Sequence, residues 1–371
     1  MALVDRLILR EILVPLAVGI LAIVQLLVIL QLLQLNQIVF GSAVTLGDLG
    51  RLTVALAPHF LVVALPLAFM LGVQLGIGRL SSDRELLAMS AAGVPPLRFY
   101  RVPIAISLAL GVAVAALVHW AEPWGFQELN RVLNQVIKRN LQSGLTPGLF
   151  NDGLPRFMIY VGGQEHGGSG LWKGVLIEDE VGDGAPLLAL AEGGRVEDTG
   201  GDALMLHLFK GEIHRSEPRG ETVARFDEGT FVAGVQAASK NRFSNNEIQL
   251  SNAVLRQRVA ELERRGGDDD RDQAARMRLE LVRRWAIPFA CFVFAILGVP
   301  LATGARGSKS SAYLITMGAF VSYYALSRVA VALTVSGWNA WAAGLIPNAL
   351  ILIAGLLLTL RTSVLGIGKP Q

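Results

Sequence analysis

The chain has 371 residues, 52% of them hydrophobic and only 17% charged, and its formal net charge is +3. A mean hydropathy of +0.48 lies well to the apolar side of a soluble domain and identifies a membrane protein. One cysteine, Cys291, rules out a disulfide framework, and five scattered histidines argue against a structural zinc site.

A membrane-spanning helix needs about 20 predominantly apolar residues. Six stretches meet that requirement: Ile12 to Ile38, Leu52 to Ile77, Val102 to Ala121, Trp285 to Thr303, Ala312 to Val335 and Ala340 to Leu360. The first is too long for a secretory signal, and no small-residue cleavage site follows it. Three regions result: 1–121 with an amphipathic start, spans 1 to 3 and a short polar helix at 81–93; 122–284 outside the membrane; and 285–371 with spans 4 to 6.

Lys and Arg in short flanking segments set orientation. Arg6 and Arg10 precede span 1, Arg79, Arg84, Arg98 and Arg101 lie between spans 2 and 3, Arg306 and Lys309 between spans 4 and 5, and Arg361 and Lys369 follow span 6. Both termini and segment 81–93 are therefore expected in the cytoplasm, and 122–284 outside it. Arg276, Arg278, Arg283 and Arg284 cluster against this rule just before span 4, although long translocated domains are largely exempt from it.

The segment SSDRELLAMSAAG at 81–93 interrupts the apolar texture. Ser82 with Glu85 fits a capping box, and Gly93 followed by Pro95 and Pro96 supplies a stop, so the pattern predicts a helix of about three turns. Residues 126–141 continue span 3 as an amphipathic helix. Short β-rich runs then follow at 156–162, 174–179, 187–198, 203–215 and 224–234, separated by Gly-rich turns. They predict an all-β sandwich or jelly-roll domain, after which 251–265 returns to helix.

No nucleophile elbow G-x-S-x-G is present. GARGSKS at 304–310 is not a nucleotide loop, because its second Gly and its Lys are not adjacent. If ATP drives this protein, another chain binds it.

The stretch GIGRLSSDRELLAMSAAGVPPLRF, preceded by APHFLVVALPLAFMLGVQL, resembles the LptF/LptG permease family of the bacterial lipopolysaccharide exporter. RRWAIPFACFVFAILGVPLATGARGSKS is similar to the family's span 4 and following loop, and LFNDGLPRFMIYVGG and LWKGVLIEDE fit its outer strands loosely. The opening DRLILREILVPL leans toward LptF. The resemblance implies six transmembrane helices with an inserted periplasmic β-jelly-roll-like domain, in the inner membrane. It also implies pairing with a paralogous permease, a soluble ATPase dimer that binds ATP and Mg, a small membrane-anchored periplasmic bridge protein, and lipopolysaccharide as cargo. Neither a cofactor in this chain nor nucleic acid is expected.

Segment 81–93 then stands at the family's coupling helix. Glu85 falls on its acidic position, with Arg84, Leu86 and Met89 beside it, whereas Ser90 stands where many members carry Arg. The cargo bears phosphates, so basic residues near the outer ends of the spans are candidate contacts: His59, where relatives carry a basic residue, and Arg328, Arg51, Arg283 and Arg284. Inward β positions Phe157, Ile159, Val161 and Ile177 could hold acyl chains or could simply form the core. A signalling or scaffolding protein with an outer β sensor is the competing reading.

Overall fold

The computed structural model describes residues 2–34, 45–142, 148, 150–154, 157–164, 171–179, 187–198, 203–217, 220–234, 246–304 and 309–365. The helices are α1 (Ala2–Gln34), α2 (Leu46–Ser82), α3 (Glu85–Ala91), α4 (Arg101–Ala116), α5 (Glu122–Gln142), α6 (Asn246–Gln249), α7 (Asn252–Arg265), α8 (Asp268–Gly304), α9 (Lys309–Val335) and α10 (Ala340–Leu365). A 3-10 turn at Pro96–Tyr100 leads into α4, and a π-helical turn at Leu117–Ala121 joins α4 to α5 without a break. Among the described residues six runs are long and apolar enough to cross a membrane: Leu3–Leu30, Leu46–Ser82, Pro96–Leu133, Asp269–Gly304, Ala312–Val335 and Ala340–Arg361. The first begins nine residues before the predicted one, because a helix can carry Asp5, Arg6, Arg10 and Glu11 ahead of its apolar stretch.

The chain forms two compact units: Met1–Leu30, Leu56–Phe126 and Asn246–Gln371 make one, and Gln31–Ala55 with Gln127–Asn245 the other. In the helical unit, α1 and α2 approach to backbone contact. A Cβ on Gly76 would lie 2.6 Å from the Glu11 carbonyl oxygen, and one on Gly72 3.0 Å from that of Ile12. Small residues permit that approach, which gives van der Waals gain where no hydrophobic force separates helix from lipid. Polar side chains lock the rest: Gln74 Nε2 donates to the Gly298 carbonyl at 3.1 Å, and Asn348 Nδ2 to that of Ala286 at 2.8 Å. Trp120, Trp124, Trp285, Trp338 and Trp341 are all exposed, and connectivity puts them at the end of the bundle away from α3.

The β unit is a single antiparallel sheet of six strands in sequential order among the described residues: β1 (Phe150–Leu154), β2 (Phe157–Gln164), β3 (Trp172–Asp179), β4 (Leu187–Asp198), β5 (Ala203–Glu217) and β6 (Gly220–Gly234). The inserted all-β domain is as expected, and among the described residues its strands pair in sequential order, as in a meander. β1 is not among the β-rich runs read from the pattern, because FNDGL has no apolar alternation; only the family resemblance covered it.

A meander can bury a core only by bending. Glycines lie at or beside one line across the sheet: Gly162, Gly174, Gly193, Gly211 and Gly229. On that line Gly174 (φ 62) and Lys210 (φ 45) take left-handed conformations. The inward face changes parity there: Trp172 is buried before Gly174 and Val175 and Ile177 after it, while on β5 Leu206 and Leu208 point inward before Lys210 and Ile213 after it.

Candidate functional site

Two constellations stand out in the helical unit, one at each end of the bundle.

At the first end, α2 runs without interruption to Ser82, and Arg84 turns the chain through a left-handed conformation (φ 58) into α3. The capping box expected at Ser82 and Glu85 does not form. Ser82 Oγ instead donates back to the Gly78 carbonyl at 2.8 Å, and α3 has no side-chain cap, because a serine that ends an existing helix finds an acceptor one turn behind it. The stop is as expected. Gly93 (φ 91) donates to the Ser90 carbonyl and Val94 to that of Met89, both at 3.0 Å, the two bonds of a Schellman motif. The helix therefore has seven residues, two turns rather than three.

Leu86 is 1% exposed and sits in the same buried cluster as Ile8, Ile12, Leu80 and Phe99, with Met89 packed against it. Both side chains root α3 in the bundle: Leu86 is wholly buried there, whereas Met89 is only partly buried. Arg84 and Leu87 are exposed and Glu85 is half-buried. Among the described residues Glu85 has no ion-pair partner.

At the opposite end, a polar chain links α2, α5, α7 and α8. Glu122, 1% exposed, faces His59 Nδ1 at 2.7 Å and Arg283 Nη2 at 3.1 Å. A carboxylate can only accept, so Nδ1 carries the proton in this pair. The His59 ring also stands edge-on to Phe126, with centroids 5.1 Å apart. Arg283 donates to both oxygens of Glu280, at 2.6 and 2.9 Å. Arg284 donates to Glu280 at 3.2 Å, to Asn252 Oδ1 at 2.6 Å and to the carbonyls of Glu247, Ile248 and Leu250. Such a chain of charge-assisted bonds offsets the cost of taking its ions out of water.

This geometry sorts the predicted phosphate contacts. Arg284 is 1% exposed with its guanidinium wholly engaged, so its role is structural and the expectation of a substrate contact is corrected. Arg283 and His59 keep 27% and 32% of their side chains accessible, which leaves an edge of each for an anion. Arg328 is exposed on α9 without an ion-pair partner among the described residues. Arg51 belongs to the other unit, where it pairs with Glu128 at 2.9 Å and Gln135 at 3.3 Å. The same network, with Arg278 paired to Glu263, accounts for the arginine cluster that broke the charge rule: carboxylates balance most of it.

Glu122, Glu280 and Asn252 were not anticipated. Glu280 was readable, since it precedes Arg283 and Arg284 by three and four residues on one helix. Glu122 offered a weaker sign, a carboxylate between Trp120 and Trp124.

In the β unit, Ile159, Val161 and Ile177 are 0% exposed and form the core with Trp172, Leu206 and Leu208. The Phe157 side chain lies outside the described residues. An open concavity of about 800 Å³ on the sheet is lined instead by residues including Tyr160, Leu176, Leu190, Lys210 and Arg225, so the three described acyl-path positions pack the interior and do not line it. At its edge His214, 3.2 Å from Glu212, holds that carboxyl below the usual carboxylate range, aided by Arg225.

The family described as "Lipopolysaccharide export system permease LptF/LptG" matches residues 6–361. The Escherichia coli K12 protein named "Lipopolysaccharide export system permease protein LptF" is 22% identical over 252 residues, which cover 66% of this chain and 63% of that protein. The Shigella flexneri protein of the same name matches with the same figures. The alignment thus spans less than two thirds of these relatives' length.

Proposed function

Since the chain belongs to the LptF/LptG permease family, we propose that it is the membrane subunit of an ATP-driven exporter that moves lipopolysaccharide out of the inner membrane. In this reading it pairs with a paralogous permease. A soluble ATPase dimer carrying ATP and Mg docks on the cytoplasmic side, and the periplasmic β domain hands the lipid to a small membrane-anchored bridge protein. Both termini and α3 face the cytoplasm, the side where Lys and Arg concentrate in the short segments. The relatives' LptF name and the opening DRLILREILVPL favour the LptF side of the pair.

The observation that carries the reading is the build of α3. It is a two-turn peg, held at its root by Leu86 and Met89, with Arg84, Leu87 and Glu85, which has no ion-pair partner among the described residues, on the sides left open. A connector between two spans has no need of such a root, whereas a part that receives force from another chain does. At the opposite end, Arg283 offers an accessible cationic edge, and His59 an accessible imidazole edge, for the lipid phosphates.

Charge reversal tests this directly. Glu85→Lys is expected to lose co-purification with the ATPase and to abolish lipopolysaccharide transport, while the detergent-purified chain keeps its thermal stability. A Glu85→Lys protein that still binds the ATPase and transports would remove the coupling assignment.

A further inference from the structure

Segment α3 is flanked on both sides by ion pairs to α1. Before it, Arg79 Nη1 lies 3.0 Å from Glu11 Oε2 and its Nε 3.6 Å from Asp83. After it, Arg98 Nη2 lies 3.1 Å from Asp5 Oδ2. The two pairs differ in weight. Arg79 is 65% exposed, so water and salt screen its attraction, whereas the Arg98 side chain is only 10% exposed.

Apolar contacts run the same way. Leu86, on α3, belongs to one buried cluster with Ile8, Ile12 and Leu16 of α1 and with Phe99 of the turn that carries Arg98. Along α1 the tightest packing is in this half: Ile8 and Ile12 are 0% exposed and Leu16 6%, whereas Ile20 and Ile23 beyond it are only partly buried against the bundle. The left-handed residues Arg84 and Gly93 bracket α3, so the chain can change direction on either side of it while the helix itself stays intact.

We propose that span 1 is an output arm of the coupling segment, with Arg98 and Asp5 as the positioning pair that carries displacement of α3 into the tightly packed first half of α1. Spans 2 and 3 are joined to α3 by the chain. Span 1 is not, so it needs a noncovalent tie, and the pair sheltered beside the Leu86 cluster supplies it. The Glu11–Arg79 pair adds a second, weaker tie on the same helix. The inference rests on the reading of α3 as the ATPase-docking helix.

The test uses the full complex with its ATPase and partner permease, reconstituted in proteoliposomes, and reads lipopolysaccharide released per ATP hydrolysed. Asp5→Asn and Arg98→Gln are each expected to lower that ratio several-fold while the ATPase still co-purifies. The exchanged pair D5R/R98D is expected to restore it, which loss of a merely stabilising contact elsewhere would not allow. An unchanged ratio in both single variants, or a ratio that stays low in the exchanged pair, overturns the linkage. Glu85→Lys run in parallel separates the two claims: if it keeps ATPase binding and transport, the docking reading fails, and if it loses both while the Asp5 and Arg98 variants stay fully coupled, only the arm fails.

Discussion

Arg283 and Arg284 are neighbours in sequence and opposites in use. About 100° apart around α8, one side chain reaches the accessible edge of the Glu122 pair, and the other enters a closed cage of Asn252, Glu280 and three carbonyls. Sequence could place both at the end of a span but not tell them apart, because the Glu122 partner lies 161 residues away and the cage is built from the turn before α7. Removing a fully buried charge from such a cage leaves Glu280 half compensated, so Arg284→Ala should cost about 3–5 kcal/mol. Thermal unfolding in detergent measures it. Lys is not expected to rescue, since one ammonium cannot replace a planar fork that reaches several acceptors at once.

Whole elements were more legible than their ends. The six spans follow from apolar length alone, and β4 has the predicted bounds, because composition over many residues averages out local exceptions. Helix starts depend on one or two side chains. Thr45 and Asp48 form the reciprocal box at the start of α2: Asp48 N–H donates to Thr45 Oγ1 at 3.2 Å, and Thr45 N–H to Asp48 Oδ2 at 3.0 Å. The same spacing at Ser82 and Glu85 forms none, since its serine is already inside a helix. Thr45→Ala should therefore lower stability by about 1 kcal/mol, and Ser82→Ala should change it little; paired melting curves decide. In the sheet, strict alternation found Ile159, Val161 and Ile177 but not Trp172, because the left-handed turn at Gly174 reverses which face points inward.

For the molecule as a whole, the spans differ in how much of themselves they hide. In their most apolar windows α2 is 72% buried and α8 61%, whereas α1 is 17% and α9 11%. The first two are the pillars of the helical unit, and the others expose apolar flanks, which in the proposed complex are available to lipid or to the second permease. If that permease covers α9, single cysteines at the exposed positions Met317 and Val321 should crosslink to it in membranes, and crosslinking only to lipid-facing probes would leave α9 outside the pair. Native Cys291 is 0% exposed and does not interfere. The grouping of the exposed tryptophans has an optical consequence. Five of the six indoles sit at one end of the bundle, and the sixth, Trp172, is sealed in the sheet at 2% exposure. Intrinsic fluorescence of the intact protein is therefore emitted largely from a single membrane interface. Quenchers attached at graded depths along the lipid tail would read that interface alone, with Trp172 as the residual signal.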